Sequence, residues 1–289
     1  MRVAVLGASG FVGSALVETL GDAHDVVAVA RRAGSDANVE WVAADLTRES
    51  EAARALAGAD VVFHLVHSLG QPDYERRDVA IAENVAAAAE SAKVSQIVYL
   101  GGLGDESSAD LSKHLRSRHE TGRALARGSV PVTTVRAGVV VGRGSAAFET
   151  IVALVDRLPA MVCPRWVSVP TQPIALRDVV SALAGVVGLE RAHGETYDIG
   201  GPEVMTYREM IDRIARVRGK HPLIVEVPVL TPRLSSWWLH LVTPVKASVA
   251  RPLIDGLRNP TVARDARIHE LVPMPATPFD DAVREALAD

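Results

Sequence analysis

The feature that most constrains this fold is a glycine pattern directly behind a short apolar run at the start of the chain. Arg2 to Leu6 is nearly all apolar, which is typical of a strand buried on both faces of a parallel sheet. It is followed by Gly7, Gly10 and Gly13, and apolar residues recur at helical spacing from Phe11 to Leu20. The pattern predicts a strand that turns sharply into a helix.

A corner of this kind suits the diphosphate of a dinucleotide. Backbone N–H groups at the start of a helix have no partner within the helix, and the helix dipole adds positive charge at the same point. Gly7 would allow the tight turn, Gly10 the close approach of phosphate, and Gly13 the packing of helix on strand. Turns that bind nothing also use spaced glycines, but the flanking strand and helix favour dinucleotide binding. The spacing fits the form G-x-x-G-x-x-G rather than G-x-G-x-x-G.

Composition excludes several classes of function. The 289 residues accommodate an α/β unit with a smaller appendage, and the net charge of −4 gives no electrostatic basis for nucleic-acid binding. The single cysteine, Cys163, excludes an intrachain disulfide and is expected in the core. The nine histidines show no paired ligand spacing, so we expect no metal. Since no apolar run approaches the ~20 residues of a membrane span and no signal sequence is evident, we expect a cytoplasmic protein.

The second predicted strand, Asp25 to Ala30, ends in two basic residues, Arg31 and Arg32. An acidic residue at this point accepts hydrogen bonds from the ribose of NAD, whereas arginine meets the 2′-phosphate of NADP. Two arginines without a carboxylate therefore favour NADP(H) over NAD(H). The alternative interpretation is a solvated basic turn.

Two further strand ends carry candidate binding residues. Asp45 and Leu46 follow the third strand, where the carboxylate could accept from the adenine amine while leucine lies on the ring. Asp45 could equally cap the N-terminus of the next helix. Val66 and His67 follow the fourth strand, Asp60 to Leu65, at the sheet edge where open α/β folds bind ligands.

The remaining chain continues the alternation of strands and helices as far as Gly142, which predicts a doubly wound, Rossmann-type α/β fold with a parallel sheet. The pattern then loosens, and a smaller C-terminal α/β unit is expected. We predict a dinucleotide-binding domain from residues 1–144 and 174–200, and a substrate or partner domain from residues 145–173 and 201–289. Within the latter, Thr206 and Glu209 have the spacing of a capping box.

These residues resemble the short-chain dehydrogenase/reductase superfamily, specifically its atypical extended branch, which includes YbjT-like and NmrA-like proteins and a complex I accessory subunit. The motifs that carry the resemblance are Gly7-Ala-Ser-Gly10-Phe-Val-Gly13, Ala44-Asp45-Leu46, Leu65-Val66-His67-Ser68, Tyr99-Leu-Gly-Gly-Leu103, Arg136-Ala-Gly138 and Pro173-Ile-Ala-Leu-Arg-Asp178. The resemblance implies that Ser9, Gly10, Phe11 and Val12 contact the cofactor diphosphate, Arg31 and Arg32 the adenosine phosphate, Asp45 and Leu46 the adenine, and Val66 and His67 the ribose.

The resemblance fails at the residues that perform catalysis in related reductases. Those enzymes use a serine after the fifth strand and a Tyr-x-x-x-Lys pair on the next helix. Here Gly101 or Gly102 replaces the serine, and His114 and Arg118 stand in the Tyr and Lys positions. His114 could act as an acid near neutral pH and Arg118 could bind ribose, or both could be ordinary surface residues.

The C-terminal region contains two adjacent tryptophans, Trp237 and Trp238, in an apolar run. They could cap the core of the smaller domain, or one could meet an apolar ligand, a partner protein or a membrane surface. We therefore consider two functions. The first is an NADP(H)-dependent oxidoreductase that acts on an apolar carbonyl, enone or quinone. The second is a non-catalytic NADP(H)-binding sensor or scaffold protein.

Overall fold

The computed structural model describes residues 1–34, 36, 39–227 and 247–288. Its strands are β1 (Arg2–Leu6), β2 (Asp25–Ala30), β3 (Glu40–Ala43), β4 (Val61–His64), β5 (Gln96–Gly102), β6 (Val132–Ala137), β7 (Val140–Val141), β8 (Ala160–Pro164), β9 (Pro170–Thr171), β10 (Ile174–Ala175), β11 (Thr196–Ile199), β12 (Met205–Thr206) and β13 (Leu223–Val227). The α-helices are α1 (Phe11–Gly21), α2 (Glu49–Ala55), α3 (Tyr74–Ser91), α4 (Lys113–Leu125), α5 (Ala146–Arg157), α6 (Leu176–Gly185), α7 (Tyr207–Val217), α8 (Ala247–Gly256), α9 (Ile268–Leu271) and α10 (Phe279–Leu287). Short 3₁₀ turns cover Arg165–Ser168 and Glu190–Ala192.

A seven-stranded parallel sheet forms the centre of the molecule. Its strand order is β11-β6-β5-β4-β1-β2-β3, and each neighbouring pair is parallel. The chain moves outward in one direction from β1 to β3 and in the other from β4 onward. The strand order therefore reverses between β1 and β4, which is the point where folds of this type bind nucleotides. The predicted Rossmann-type fold is confirmed.

Apolar clusters cover both faces of this sheet. One cluster lies under α1 and α6, with Leu16 and Leu183 fully buried in it. The other lies under α2, α3 and α4, where alanines such as Ala82 and Ala89 let the helices approach the strands closely. Burial on both faces explains why the central strands read as continuous Val- and Ala-rich runs.

A third apolar cluster lies outside the central sheet and includes Phe148, Met210, Val283 and Cys163. The buried position of Cys163 confirms the predicted core role. Small two-stranded sheets accompany this cluster, pairing β7 with β10, β9 with β12 and β8 with β13. Ile268, in the predicted smaller domain, packs into the cluster under α1 and α6 instead. The domain boundaries drawn above stay a prediction.

Several local predictions can be compared directly with the elements. Thr206 and Glu209 form the predicted capping box at the start of α7. The helix predicted from Asp78 begins earlier, at Tyr74, and β5 extends two residues beyond Leu100. Trp237 and Trp238 lie outside the described residues. In the part of the chain that is described, no helix is long and apolar enough to cross a bilayer, and no group of three metal-ligating side chains occurs.

Candidate functional site

The glycine corner after β1 is held by backbone hydrogen bonds. The N–H groups of Gly7 and Ala8 both donate to Val29 O, at 2.9 and 3.1 Å, which ties the corner to β2. Gly10 N donates to Gly7 O at 2.9 Å and closes the turn. Gly7 has a φ of +89°, a conformation that suits glycine, and a Cβ there would lie 3.2 Å from Leu65 backbone atoms. The corner therefore depends on glycine for both conformation and space.

Helix α1 begins immediately after this turn, with Gly10 in the N-cap position. The first intrahelical hydrogen bond runs from Ser14 N to Gly10 O, at 2.9 Å. The N–H groups that precede Ser14 in the first turn therefore have no partner within the helix. These N–H groups and the helix dipole suit an anion. A Cβ on Gly142 would lie 2.9 Å from the Phe11 ring, so that side chain packs against the chain after β7. Contact between Phe11 and a diphosphate would thus involve its backbone.

A cavity of about 290 Å³ opens beside this corner, at the carboxyl ends of the strands around the reversal point. Eight of the predicted cofactor-binding residues line it, namely Gly7, Ser9, Gly10, Arg31, Asp45, Leu46, Val66 and His67. Phe11, Val12, Gly13 and Arg32 are not among its lining residues. Residues that the sequence did not single out also line it, including Gln71, Arg77 and Ile81. Its position and mixed lining fit a nicotinamide dinucleotide.

The two predicted phosphate-binding arginines occupy different positions. Arg31 and Arg32 are both exposed, but the cavity reaches only Arg31. Among the described residues neither arginine forms an ion pair, so the charge of Arg31 is available at the cavity wall. Arg31 is consequently the better placed of the two to meet a 2′-phosphate.

Asp45 has a different local role from the predicted helix cap. Helix α2 is preceded by Arg48 in the N-cap position, so the expectation that Asp45 caps this helix is wrong. Its Oδ1 instead accepts from Thr47 N at 3.1 Å and from Thr47 Oγ1 at 2.7 Å, a turn that satisfies the carboxylate locally. These bonds and nearby Arg77 hold the pKa of Asp45 below its ordinary value. Asp45 is therefore an ionised acceptor at the cavity wall.

The loop after β4 is fixed by a buried carboxylate that sequence reasoning missed. Asp78 of α3 is buried, and its Oδ1 accepts from Ser68 N at 2.7 Å. Burial raises the pKa of Asp78 above its ordinary value. Ser68 lines the cavity beside Val66 and His67, so Asp78 positions the predicted ribose-binding loop. A polar residue within an alanine-rich helix was the only available sequence signal.

Two glycines end β5 where related enzymes carry the catalytic serine. A Cβ on Gly102 would lie 3.2 Å from Leu115 and 3.6 Å from Arg118, both on α4. A Cβ on Gly101 would lie 3.3 Å from Arg136. Neither position offers a side chain for a proton or a substrate, and α4 packs closely over this strand end.

Arg118 extends from α4 over this strand end. One guanidinium nitrogen donates to Leu100 O, and the guanidinium carbon lies 5.2 Å from the centroid of the Tyr99 ring. Tyr99 is a buried strand residue whose hydroxyl donates to Arg118 O at 2.7 Å. Arg118 is partly buried and forms no ion pair with any described carboxylate, and residues 228–246 contain neither Asp nor Glu. The charge of Arg118 nevertheless acts on the buried carboxyl of Asp78, where it opposes the rise in pKa that burial causes.

His114 lies one turn before Arg118 on α4 and is partly buried, so it is not an ordinary surface residue. Burial, together with the charge of Arg118 and the neighbouring His67, lowers the pKa of His114 to about 3. The imidazole is therefore neutral near pH 7. An imidazolium at His114 would have to form in a partly dry site beside a cation, which disfavours the predicted role of His114 as an acid near neutral pH.

The start of α4 is held by the distant C-terminal region. Asn259 is buried, accepts from Ser112 N at 3.0 Å and donates to Asp110 O at 3.1 Å. Ser112 caps α4 through a hydrogen bond from Leu115 N. Asn259 thereby positions the turn that carries His114, a contact across 147 residues that no local pattern indicates.

The sequence is similar to those of known proteins. Residues 7–150 match a family described as NAD(P)H-binding. The chain is 28% identical over 288 residues to the (4-alkanoyl-5-oxo-2,5-dihydrofuran-3-yl)methyl phosphate reductase of Streptomyces griseus, covering 96% of this chain and 95% of that protein. It is 25% identical over 232 residues to the mitochondrial NADH dehydrogenase (ubiquinone) 1 alpha subcomplex subunit 9 of Dictyostelium discoideum, covering 73% of this chain and 62% of that protein.

The fold is also found in solved structures. The triphenylmethane reductase of a Citrobacter species, crystallised with NADP(H), superposes with a TM-score of 0.77 at 21% identity, over 99% of this chain and all of that one. At this identity the likeness concerns the fold. With the family match over residues 7–150, the parallel sheet and the glycine corner, the chain contains a domain of the NAD(P)H-binding family.

Proposed function

We propose that the chain is an NADP(H)-dependent reductase of an apolar acceptor in which the reacting group is a carbonyl or is conjugated to one, such as an enone or a quinone. The observation that carries the proposal is the cavity at the glycine corner, which places Arg31 and Asp45 on the wall of one continuous space. The nicotinamide, when bound, supplies the hydride.

Binding is assigned to the residues of the corner and of the cavity wall. The backbone from Ser9 to Gly13 would hold the diphosphate, because its N–H groups start α1. Arg31 would meet the 2′-phosphate by charge-assisted hydrogen bonds, which favours NADP(H) over NAD(H). Val66 and His67, on the loop held by Asp78, would contact the ribose.

The catalytic contribution of the chain is assigned to Arg118 and His114. Hydride addition to a carbonyl, or to a double bond conjugated with one, moves an electron pair onto the carbonyl oxygen. A partly buried guanidinium that is not in an ion pair with a described carboxylate stabilises such an oxyanion, because the attraction between opposite charges is stronger away from bulk water. Neutral His114 can donate a hydrogen bond to the same oxygen, and the final proton comes from water.

The acceptor class is supported by one relative. The Streptomyces griseus reductase acts, by its name, on a dihydrofuranone that carries an alkanoyl group and a phosphate. The match covers nearly the whole of both chains, which supports a carbonyl conjugated to a carbon–carbon double bond as the reacting group for this protein. We therefore expect an enone or an unsaturated lactone to be reduced faster than an isolated ketone.

The test is NADPH oxidation against a panel of enones, unsaturated lactones, quinones and simple ketones. Arg118→Gln should lower kcat by about a hundredfold to a thousandfold, the range for removal of an oxyanion-stabilising donor. Arg116→Gln is the matched control, because Arg116 lies on the same helix but is exposed. His114→Ala should lower kcat without changing its dependence on pH near neutrality. Equal activity in Arg118→Gln and the control would contradict the assignment.

A second candidate function is a non-catalytic NADP(H)-binding sensor or scaffold protein. The observation that favours it is the pair of glycines at the end of β5, which leaves no serine or tyrosine hydroxyl at the usual catalytic position. Similarity to a subunit of NADH dehydrogenase is compatible with it. Tight retention of NADPH without turnover of any acceptor in the panel would support this function over the first.

A further inference from the structure

Two opposite charges stand side by side at the wall of the cofactor cavity. Arg77 of α3 and Asp45, from the loop after β3, both line the cavity, and their side chains approach within 3.8 Å. Each side chain is 40% exposed, so the pair lies at the opening of the cavity and not in its floor. Asp45 is a predicted adenine contact, whereas Arg77 has no assigned role.

Most of the hydrogen-bonding capacity of this pair is unused. Thr47 donates twice to Asp45 Oδ1, and among the described residues Oδ2 accepts no hydrogen bond. The Arg77 guanidinium donates no hydrogen bond to any described residue, although it carries five N–H donors. The pair therefore presents one acceptor next to several donors.

Apolar side chains line the cavity beside this polar pair. Ile81 lies one helical turn after Arg77 on α3, so both face the same side, and Ile81 is buried at 4% exposure. Leu46 lines the cavity from the loop after β3. Asn84 Nδ2, on the same helix, donates to Leu46 O at 3.0 Å and fixes this loop relative to α3. The polar pair and the apolar residues consequently keep a defined spacing.

We propose that Arg77 and Asp45 together recognise the hydrogen-bonding edge of the adenine of the cofactor. Asp45 Oδ2 accepts from the exocyclic amine, and the Arg77 guanidinium donates to the ring nitrogen beside it. Adenine presents a donor next to an acceptor, whereas hypoxanthine and guanine present a carbonyl oxygen in place of the amine. The pair thus makes the site selective for adenine. This inference rests on the proposed cofactor binding and extends it to the base.

The same geometry separates Arg77 from the recognition of the 2′-phosphate. Arg77 is close to a carboxylate, which offsets part of its charge, while Arg31 lines the cavity without an ion pair among the described residues. The phosphate is therefore left to Arg31. Arg77 contributes equally to NADPH and NADH, since both nucleotides carry the same base.

The test measures dissociation constants of NADPH, NADH and the hypoxanthine analogue of NADPH by calorimetry. Arg77→Ala should weaken the binding of NADPH and of NADH by the same factor, about tenfold, which corresponds to the loss of a charge-assisted hydrogen bond. It should also reduce the preference of the site for adenine over hypoxanthine. Arg76→Ala is the matched control, because Arg76 is the preceding residue on α3, is exposed and does not line the cavity. It should leave all three constants unchanged.

Asp45→Asn gives a second readout. The two Thr47 donors would hold the amide oxygen, which leaves the amide nitrogen where Oδ2 stood. A donor would then face the adenine amine, so the variant should bind NADPH more weakly than the wild type. Its preference for NADPH over the hypoxanthine analogue should also shrink, because the amide nitrogen donates to the hypoxanthine oxygen, although the N1–H of that base still faces Arg77. The inference would be overturned if Arg77→Ala and Arg76→Ala had equal dissociation constants, or if Arg77→Ala weakened the binding of NADPH but not that of NADH. In either case wild-type binding of NADPH, and with it the proposed function, would be unaffected. If the wild-type protein binds neither NADPH nor NADH, the proposed function fails and the inference fails with it.

Discussion

Gly13 of α1 lies directly against Gly7 at the end of β1. A Cβ added to Gly13 would stand 2.2 Å from Gly7 O and 2.9 Å from Ala8 Cα, far inside van der Waals contact. The helix therefore starts as close to the strand as backbone atoms permit. This contact aims the first N–H groups of α1 at the space beside Gly7, where the proposed diphosphate lies.

Replacing Gly13 by alanine should disrupt this contact. The added methyl group has no room, and overpacking of this kind typically costs about 1–3 kcal/mol of unfolding free energy. Gly21→Ala is the matched control, since Gly21 ends the same helix and a Cβ there would meet nothing within 4 Å. Urea denaturation measures both variants. Equal stability of the two would contradict the packing described here.

The proposed preference for NADP(H) predicts different effects on nucleotide binding for substitutions at Arg31 and at Arg32. Arg31→Ala should weaken the binding of NADPH about tenfold or more and change the binding of NADH little, because only NADPH carries the 2′-phosphate. Arg32→Ala removes the same charge outside the cavity lining and should leave both constants nearly unchanged. Titration of each variant with both nucleotides provides the measurement. An equal loss of NADPH and NADH binding in Arg31→Ala would refute a phosphate contact.

The buried carboxylate of Asp78 should leave a signature in the pH dependence of stability. Its pKa in the folded protein is raised above the ordinary 3.8, so the folded state keeps a proton that the unfolded chain has already released. The free energy of unfolding should thus decrease as pH rises from 3.8 through the raised pKa, and level off above it. Asp78→Asn retains an acceptor for Ser68 N but lacks this titration. The stability difference between the two proteins should vary with pH in this window, and a constant difference would count against the prediction.

His64, at the end of β4, should make the free energy of unfolding depend on pH in the opposite direction. It is fully buried and contacts the Tyr99 ring at a tilt of 48°, with ring centroids 5.8 Å apart, and burial lowers its pKa from 6.5 to about 3. As pH falls through this range, the unfolded chain takes up a proton that the folded protein refuses, so stability falls by about 1.4 kcal/mol per pH unit. His64→Phe should remove this contribution while keeping the ring contact. Denaturation at several pH values checks the difference, which should be absent above pH 6.5.

The order of strands and helices could be predicted because the central strands are buried on both faces. Such strands read as short apolar runs, and the intervening helices show their own period, so the alternation is visible without tertiary information. The glycine corner was also predictable, since Gly7 and Gly13 are required by local geometry. Boundaries were less accurate. Helix α3 starts at Tyr74 because the polar residues before Asp78 continue the helix although they add nothing to its apolar face.

The functional side chains that were missed are those defined by distant contacts. Asn259 meets Ser112 across 147 residues, and no periodicity connects them. Arg77 and Asp78 are adjacent on α3, yet one faces the cavity and the other is buried beneath the loop after β4. The pKa of His114 likewise depends on burial beside Arg118, which spacing on a helix cannot reveal.

The central claim is that the corner between β1 and α1 binds the diphosphate of a nicotinamide nucleotide. Calorimetric titration of the wild-type protein with NADPH and NADH tests it most directly. We expect saturable binding of one nucleotide per chain, tighter for NADPH, with Gly10→Val abolishing it because a side chain there would enter the corner, 3.1 Å from Gly7 O at its first carbon. The absence of heat from either nucleotide with a folded wild-type protein would contradict the account.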